Sequence, residues 1–176
     1  DTKRRRWAWV SRIEEFKGTS ILAEVARLRP QDKFEIFGPL QDTLEELGLL
    51  HPNIVYRGIL EDVSAADFSS CDGFLFTSLF EGMPNVVLEM SQHAIPLILA
   101  DVGGLRDTFD DSAVAFVQHA ADSSSTASGF SHALDRVASL DEAAQLAMLH
   151  AARDQVIARH APVVHTRGVS KLLGVE

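Results

Sequence analysis

Residues 73–89 read Gly-Phe-Leu-Phe-Thr-Ser-Leu-Phe-Glu-Gly-Met-Pro-Asn-Val-Val-Leu-Glu. Gly73 to Thr77 is apolar without alternation, the pattern of a strand buried on both faces of a parallel sheet. Pro84 to His93 then reads as a helix, with Pro84 suited to a first helical position because its missing N–H would be unbonded there anyway. A fully buried strand passing through a short loop into a helix is half of a βαβ unit, so parallel pairing with right-handed crossovers is expected.

The same alternation extends in both directions. Towards the N-terminus lie strand candidates at Trp7 to Val10, at Phe34 to Phe37, stopped by Gly38-Pro39, and at Asn53 to Tyr56. Towards the C-terminus lie Pro96 to Ala100 and Ala113 to Val117. Between them, Ile13 to Arg29 carries Ile21, Leu22, Val25, Ala26 and Leu28 at helical spacing up to Pro30. Leu44 to Leu49 and Val63 to Phe68 read as short helices. Ala127 to Leu140 and Asp141 to His160 read as longer ones, the last with Asp141 as N-cap and Glu142 in its first turn. About six strands separated by helices predict an α/β fold, a three-layer, doubly wound Rossmann-like domain with a mostly parallel sheet and C-terminal helices.

Length and composition fit one such unit. At 176 residues the chain is a single domain, 1–176, with a core over about 7–140 and a helical tail over about 141–176 that Pro162 splits in two. Hydrophobic residues make up 46% and charged residues 23%, enough to fill a core. The net charge of −9 repels nucleic acid, which excludes a genome-binding role. Cys71 is the only cysteine, and no apolar run nears the ~20 residues of a membrane span, so a soluble, intracellular protein is expected. Lys3-Arg4-Arg5-Arg6 reads as a solvated lead-in to the first strand, and the missing initiator Met suggests a piece of a longer chain.

Ligands of doubly wound sheets bind at the carboxyl ends of the strands. There is no G-x-x-x-x-G-K-[ST], and Arg12 and Ile13 stand where a dinucleotide fingerprint would need glycine after the first strand. No H-E-x-x-H pair or second thiol offers zinc ligands, and no G-x-S-x-G elbow offers a serine nucleophile. What remains is Phe80 to Glu89. Gly82 permits close backbone approach, and the N–H groups of Asn85, Val86 and Val87 are expected to point off the ligand edge as an anion site. Were Glu81 and Glu89 both helical they would lie ~12 Å apart along the axis, outside the roughly 5–9.5 Å of paired glycosidase carboxylates. They are therefore expected to hold different parts of one extended ligand. Carboxylates accept hydrogen bonds from hydroxyls, and Arg12 and Lys17, after the first strand, supply countercharge to phosphate in place of a metal. Hydroxyls at both ends and phosphate between them describe a nucleoside diphosphate sugar.

Ser11-Arg12-Ile13-Glu14-Glu15-Phe16-Lys17-Gly18 is similar to a G-R-L-x-x-x-K-G segment, and Glu81 to Glu89 to an E-x7-E motif with an E-G-x-P-N-V start. Ile36-Phe37-Gly38-Pro39, Val55-Tyr56-Arg57-Gly58 and Ala100-Asp101-Val102-Gly103-Gly104-Leu105 follow in matching order. Over roughly Trp7 to Val117 the chain thus resembles the C-terminal domain of GT-B retaining glycosyltransferases of the group 1 type, one half of a GT-B fold. The resemblance implies that Arg12 and Lys17 hold the donor diphosphate and stabilise the leaving charge, and that Glu81 binds donor-sugar hydroxyls. It further implies that backbone through Gly82, Met83, Pro84, Asn85 and Val86 faces sugar and phosphates and that Glu89 takes the ribose. Arg57, Gly58 and Ile59 would flank the base with backbone, and Gly38 would keep the pocket floor thin.

Departures are Ser11 for the usual glycine, Met90-Ser91 for Ala-Met, and no glycine in Asp111-Ser112-Ala113-Val114. The resemblance also implies a donor-binding half inactive alone, with no cofactor or metal and with UDP favoured over GDP or ADP. Its partners would be a nucleotide sugar, an N-terminal acceptor domain absent from this chain, and an acceptor glycan or lipid-linked sugar. The intact enzyme would be cytoplasmic, peripheral at the inner face of the membrane. Apolar tail residues Val156, Ile157, Val163, Val164, Leu172 and Leu173 suggest a weak homodimer of the fragment. A sugar-nucleotide epimerase of related fold and a non-catalytic binding or assembly module are the alternatives.

Overall fold

The computed structural model describes residues 4–160. Pro162, Val163, Val164, Leu172 and Leu173, on which the split tail and part of the dimer expectation rest, lie outside the described residues. Six strands form one sheet in the order β3-β2-β1-β4-β5-β6, and every pairing is parallel. They are β1 Arg6–Val10, β2 Lys33–Phe37, β3 Ile54–Tyr56, β4 Gly73–Phe76, β5 Leu97–Ala100 and β6 Ala115–Val117. All four residues of β4 and of β5 are buried, as their unbroken apolar runs require.

Period two divides β1 between two cores. Trp7 and Trp9 pack with α1 (Thr19–Leu28) and α4 (Ser123–Ala138), while Ala8 and Val10 join the layer of α2 (Asn85–Met90) and α3 (Leu105–Thr108). The inward faces of α1 (Ile21, Leu22, Val25, Ala26) and α4 (Phe130, Leu134, Val137) follow helical spacing. Helix α5 (Glu142–His160) sends Met148 to the first core and Ala152 to the second. The Asp141 carboxylate accepts from the Ala144 amide at 2.8 Å, the expected cap.

Several expected helices differ from those found. The helix read from Ile13 begins at Thr19, because Ile13 instead forms a parallel bridge with Leu40 and a single 3-10 turn, Glu15–Lys17, follows. Leu44 to Leu49 and Val63 to Phe68 are turns, not helices. Around the latter, Asp62 and Asp67 accept from the amides of Ser64 and Ser69, which gives the backbone an alternative to helical bonds. Helix α2 spans only Asn85–Met90, inside the expected range. Conversely α4 starts four residues before its expected start, where the Asp122 carboxylate caps the Ser125 amide at 2.8 Å.

The basic lead-in is not merely solvated. Arg5 reaches Asp72 at 3.1 Å and the Ala138 carbonyl at 2.9 Å, and Arg6 reaches Glu35 at 2.5 Å. Glu35, only 5% exposed, also meets Arg57 at 2.8 Å and Lys33 at 3.4 Å. Burial alone would push its carboxyl up, but the hydrogen bonds from Arg57 and Arg6 and their charges outweigh it and hold the group at about 2 against an ordinary 4.5. At the same end of the sheet, buried Arg29 bonds Asp32 at 2.6 Å and Asp135 at 2.7 Å, and Asp32 accepts from the Trp7 indole at 3.0 Å.

Two outcomes follow from these buried charges. A carboxylate held below its unfolded value stabilises the fold fully above about pH 4.5 and loses that contribution as pH falls towards 2. Urea unfolding at neutral pH and at about pH 3 should therefore show the stability gap between the native protein and Glu35→Gln shrinking on acidification, from an order of 3 kcal/mol. Arg29→Ala leaves Asp32 buried with, among the described residues, only the Trp7 indole and the Arg5 amide as hydrogen-bond donors, and denaturant melts should register a loss of about 3–5 kcal/mol.

Candidate functional site

Strand β1 is the topological switch point: the next strand in sequence, β2, lies on one side of it and β4 on the other. In such a sheet the carboxyl edge between β1 and β4 is where a ligand crevice is expected. Backbone contact sets the spacing of the loops leaving these two strands. Gly18 has φ +74°, and a Cβ there would lie 2.0 Å from the Thr77 carbonyl oxygen. The Thr77 hydroxyl donates to the Lys17 carbonyl at 2.9 Å while accepting from the Trp9 indole at 2.9 Å, and the Leu79 amide donates to the Phe16 carbonyl at 3.0 Å. Every tie pulls the segment after β1 onto the end of β4.

Two sequence-predicted residues meet as a result. Lys17 Nζ lies 2.5 Å from Glu81 Oε1, with side chains 16% and 14% exposed. The Ser78 hydroxyl donates to the same oxygen at 2.7 Å. Glu81 Oε2 has no hydrogen-bond partner among the described residues, so the carboxylate keeps one acceptor for a ligand.

A second group forms where the loops after β1, β2 and β3 are joined. Gly38 has φ +135°, a Cβ on it would fall 1.8 Å from the Ser11 carbonyl oxygen, and its amide donates to the Gly58 carbonyl at 2.8 Å. A cavity of about 190 Å³ opens there, lined by Val10, Ser11, Gly38, Ile59, Val86 and Glu89 among others. Glu89 is half-buried and reaches it from α2.

The remaining predicted residues are placed as follows. Gly82 is exposed, and its carbonyl accepts from the Gly104 amide at 2.8 Å. Met83 is half-buried, with its sulfur 3.9 Å from the Thr108 hydroxyl. Pro84 is the residue before the first helical position, because α2 starts at Asn85. Its carbonyl accepts from the Val87 amide at 3.0 Å, so Val87 does not join the unbonded amides as expected. The amides of Asn85 and Val86 have no partner among the described residues. Arg12 is not drawn into the Lys17–Glu81 cluster: it pairs with Glu14 at 3.2 Å and its side chain is 61% exposed. The Arg57 side chain turns to Glu35, so only its backbone stays with the loop after β3.

Ser78 and His119 were missed as site-forming groups. His119 Nε2 donates to the Ser78 carbonyl at 3.0 Å. A serine three residues before Glu81 was a visible signal, whereas His119 joins only through the fold.

Known proteins agree with this architecture. The family profile of glycosyl transferases group 1 matches residues 4–136. Curated protein sequences give no significant match. Among solved structures, sucrose-phosphate synthase from Thermosynechococcus elongatus superposes with a TM-score of 0.76 at 19% identity, over 98% of this chain and 46% of that one. The pneumococcal O-GlcNAc transferase GtfA, in complex with UDP and GlcNAc, gives 0.74 at 17% identity over 99% and 37%. The C-terminal domain of the group 1 family protein LpcC from Francisella tularensis gives 0.66 at 18% identity over 89% and 86%. This chain thus spans less than half of the first two proteins and most of an isolated C-terminal domain. It belongs to the group 1 glycosyl transferases.

Proposed function

We propose that this chain is the donor half of a glycosyltransferase, binding a nucleoside diphosphate sugar across the β1–β4 crevice. The single observation that carries the reading is the Lys17–Glu81 pair, a cation held against a hydroxyl-accepting carboxylate where the loops after β1 and β4 meet; Glu89 lines a cavity of its own with the loops after β1, β2 and β3. At about 190 Å³ that cavity is below the roughly 300–1,000 Å³ of complete ligand sites. It suits one end of an extended ligand, with Glu89 accepting from ribose hydroxyls and backbone near Gly58 and Ile59 beside the base. UDP is the favoured nucleotide, ahead of GDP and ADP. The UDP in the GtfA complex supports that preference.

In the reaction the bond between the anomeric carbon and the diphosphate oxygen breaks, and negative charge collects on the departing nucleotide. The Lys17 ammonium neutralises it while Glu81 holds the sugar. Arg12 joins by exchanging Glu14 for phosphate, a small cost because so exposed a pair contributes at most about 1 kcal/mol. Two cations do the work of a metal. An acceptor hydroxyl, from a glycan or a lipid-linked sugar, then bonds to the anomeric carbon with retention of configuration and gives up its proton to the departing diphosphate oxygen. Its binding site belongs to an N-terminal domain of the longer protein, so the fragment binds donor but transfers little by itself. A cytoplasmic enzyme peripheral to the membrane fits a lipid-linked acceptor, and the fragment alone forms at most a weak homodimer.

Calorimetry on this domain with UDP, GDP and ADP tests the reading. Lys17→Ala and Arg12→Ala should each weaken nucleotide binding about ten- to a hundredfold, the loss of one charge-assisted contact. Less than a twofold change at both positions, or no nucleotide affinity in the unaltered domain, would remove these residues from a donor site.

A further inference from the structure

We infer that Ser78 is a positioning residue for Glu81: its hydroxyl, with Lys17, occupies Oε1 and leaves Oε2 as the oxygen that meets a donor-sugar hydroxyl. The inference rests on the donor-site reading above.

The Ser78 hydroxyl has one proton and three acceptors in reach: Glu81 Oε1 at 2.7 Å, the Phe16 carbonyl at 3.3 Å and the Phe80 carbonyl at 3.4 Å. The carboxylate is the shortest and the only charged one, so it takes the proton. Ser78 itself cannot drift, because it is 1% exposed and its backbone is clamped on both sides. Thr77, before it, abuts Gly18; Leu79, after it, donates to the Phe16 carbonyl; and His119 Nε2 holds the Ser78 carbonyl.

Lys17 alone would not achieve this. An ammonium on a four-carbon stem is a point charge that donates to either carboxylate oxygen in many geometries. A buried serine with one side-chain torsion selects a single oxygen and a single direction. Two donors on Oε1 therefore pre-order Glu81 before ligand arrives, and the cost of immobilising a long side chain is not charged against sugar binding.

The test separates sugar from nucleotide. Titrate UDP-glucose, UDP-N-acetylglucosamine, GDP-mannose and ADP-glucose, each against its free diphosphate, and take the sugar nucleotide that gains most affinity over its own diphosphate. Ser78→Ala should lower that gain by about three- to tenfold and leave diphosphate affinity within twofold. Ser78→Cys, which keeps the volume with a weak donor, should behave as Ser78→Ala does, and thermal melts of both check folding. Ser78→Ala placed on Glu81→Gln should cost no more than Glu81→Gln alone. If Glu81→Gln removes the gain while both Ser78 variants keep it, the positioning role is wrong and the donor site stands. If the unaltered protein gains nothing from any sugar, or if Ser78→Ala weakens diphosphate and sugar nucleotide alike, the inference fails. The first of these also removes Glu81 from sugar binding.

Discussion

Gly18 occupies a place where no side chain fits, because the Thr77 carbonyl oxygen already stands there. That contact presses the segment after β1 against the end of β4, and most of the site depends on it. Lys17 precedes the glycine and Ser78 follows the threonine, so one backbone approach sets the distance between the cation and the acidic loop. The approach of Gly38 to Ser11 does the same for the loops after β1 and β2. The crevice is thus dimensioned by main chain, which does not change rotamer, and functional side chains are added to a fixed frame.

The sheet was largely legible because each strand is a short, mostly apolar run bounded by turn residues, β2 with Lys33 and Glu35 being the most polar. Helix boundaries were less so. Ile13 looks like the first apolar position of a helix, yet it is spent on a bridge to Leu40 from a segment 27 residues away, a pairing that no local pattern contains. The turns after β2 and β3 carry helix-compatible leucines, alanines and valines, but around the second of them the side chains of Asp62 and Asp67 capture amides and compete with a helical ladder. In the candidate site, Lys17, Glu81 and Glu89 could be singled out from charge in and after the loops at the ligand edge, whereas Gly38 came only through the family resemblance. His119 could not, since its partner is a carbonyl 41 residues away. Arg57 was assigned to the loop by backbone alone, and its side chain was free to be claimed by a buried glutamate.

That claim belongs to a wider division of charge. The chain carries more acid than base, yet several of its cations are engaged away from the ligand edge. Arg5 and Arg6 tie down the first strand, and Arg29 closes a buried cluster at the end of α1. Lys17 and Arg12 differ in being attached to the loop that borders the crevice. There each already has a carboxylate partner, Glu81 for Lys17 and Glu14 for Arg12, so the division is one of place and not of free charge.

The two tryptophans of β1 extend this contrast between the ends of the sheet. Both indoles are buried, but Trp7 donates to Asp32 beside Arg29, whereas Trp9 donates to Thr77, whose hydroxyl continues to the Lys17 carbonyl. The strand therefore carries two intrinsic fluorophores with separate audiences. Emission from Trp9 is coupled through two hydrogen bonds to the loop that bears Lys17, and emission from Trp7 to the acid–base cluster at the far end. Replacing Trp7 with phenylalanine would leave a protein whose own light reports on the crevice without any attached dye.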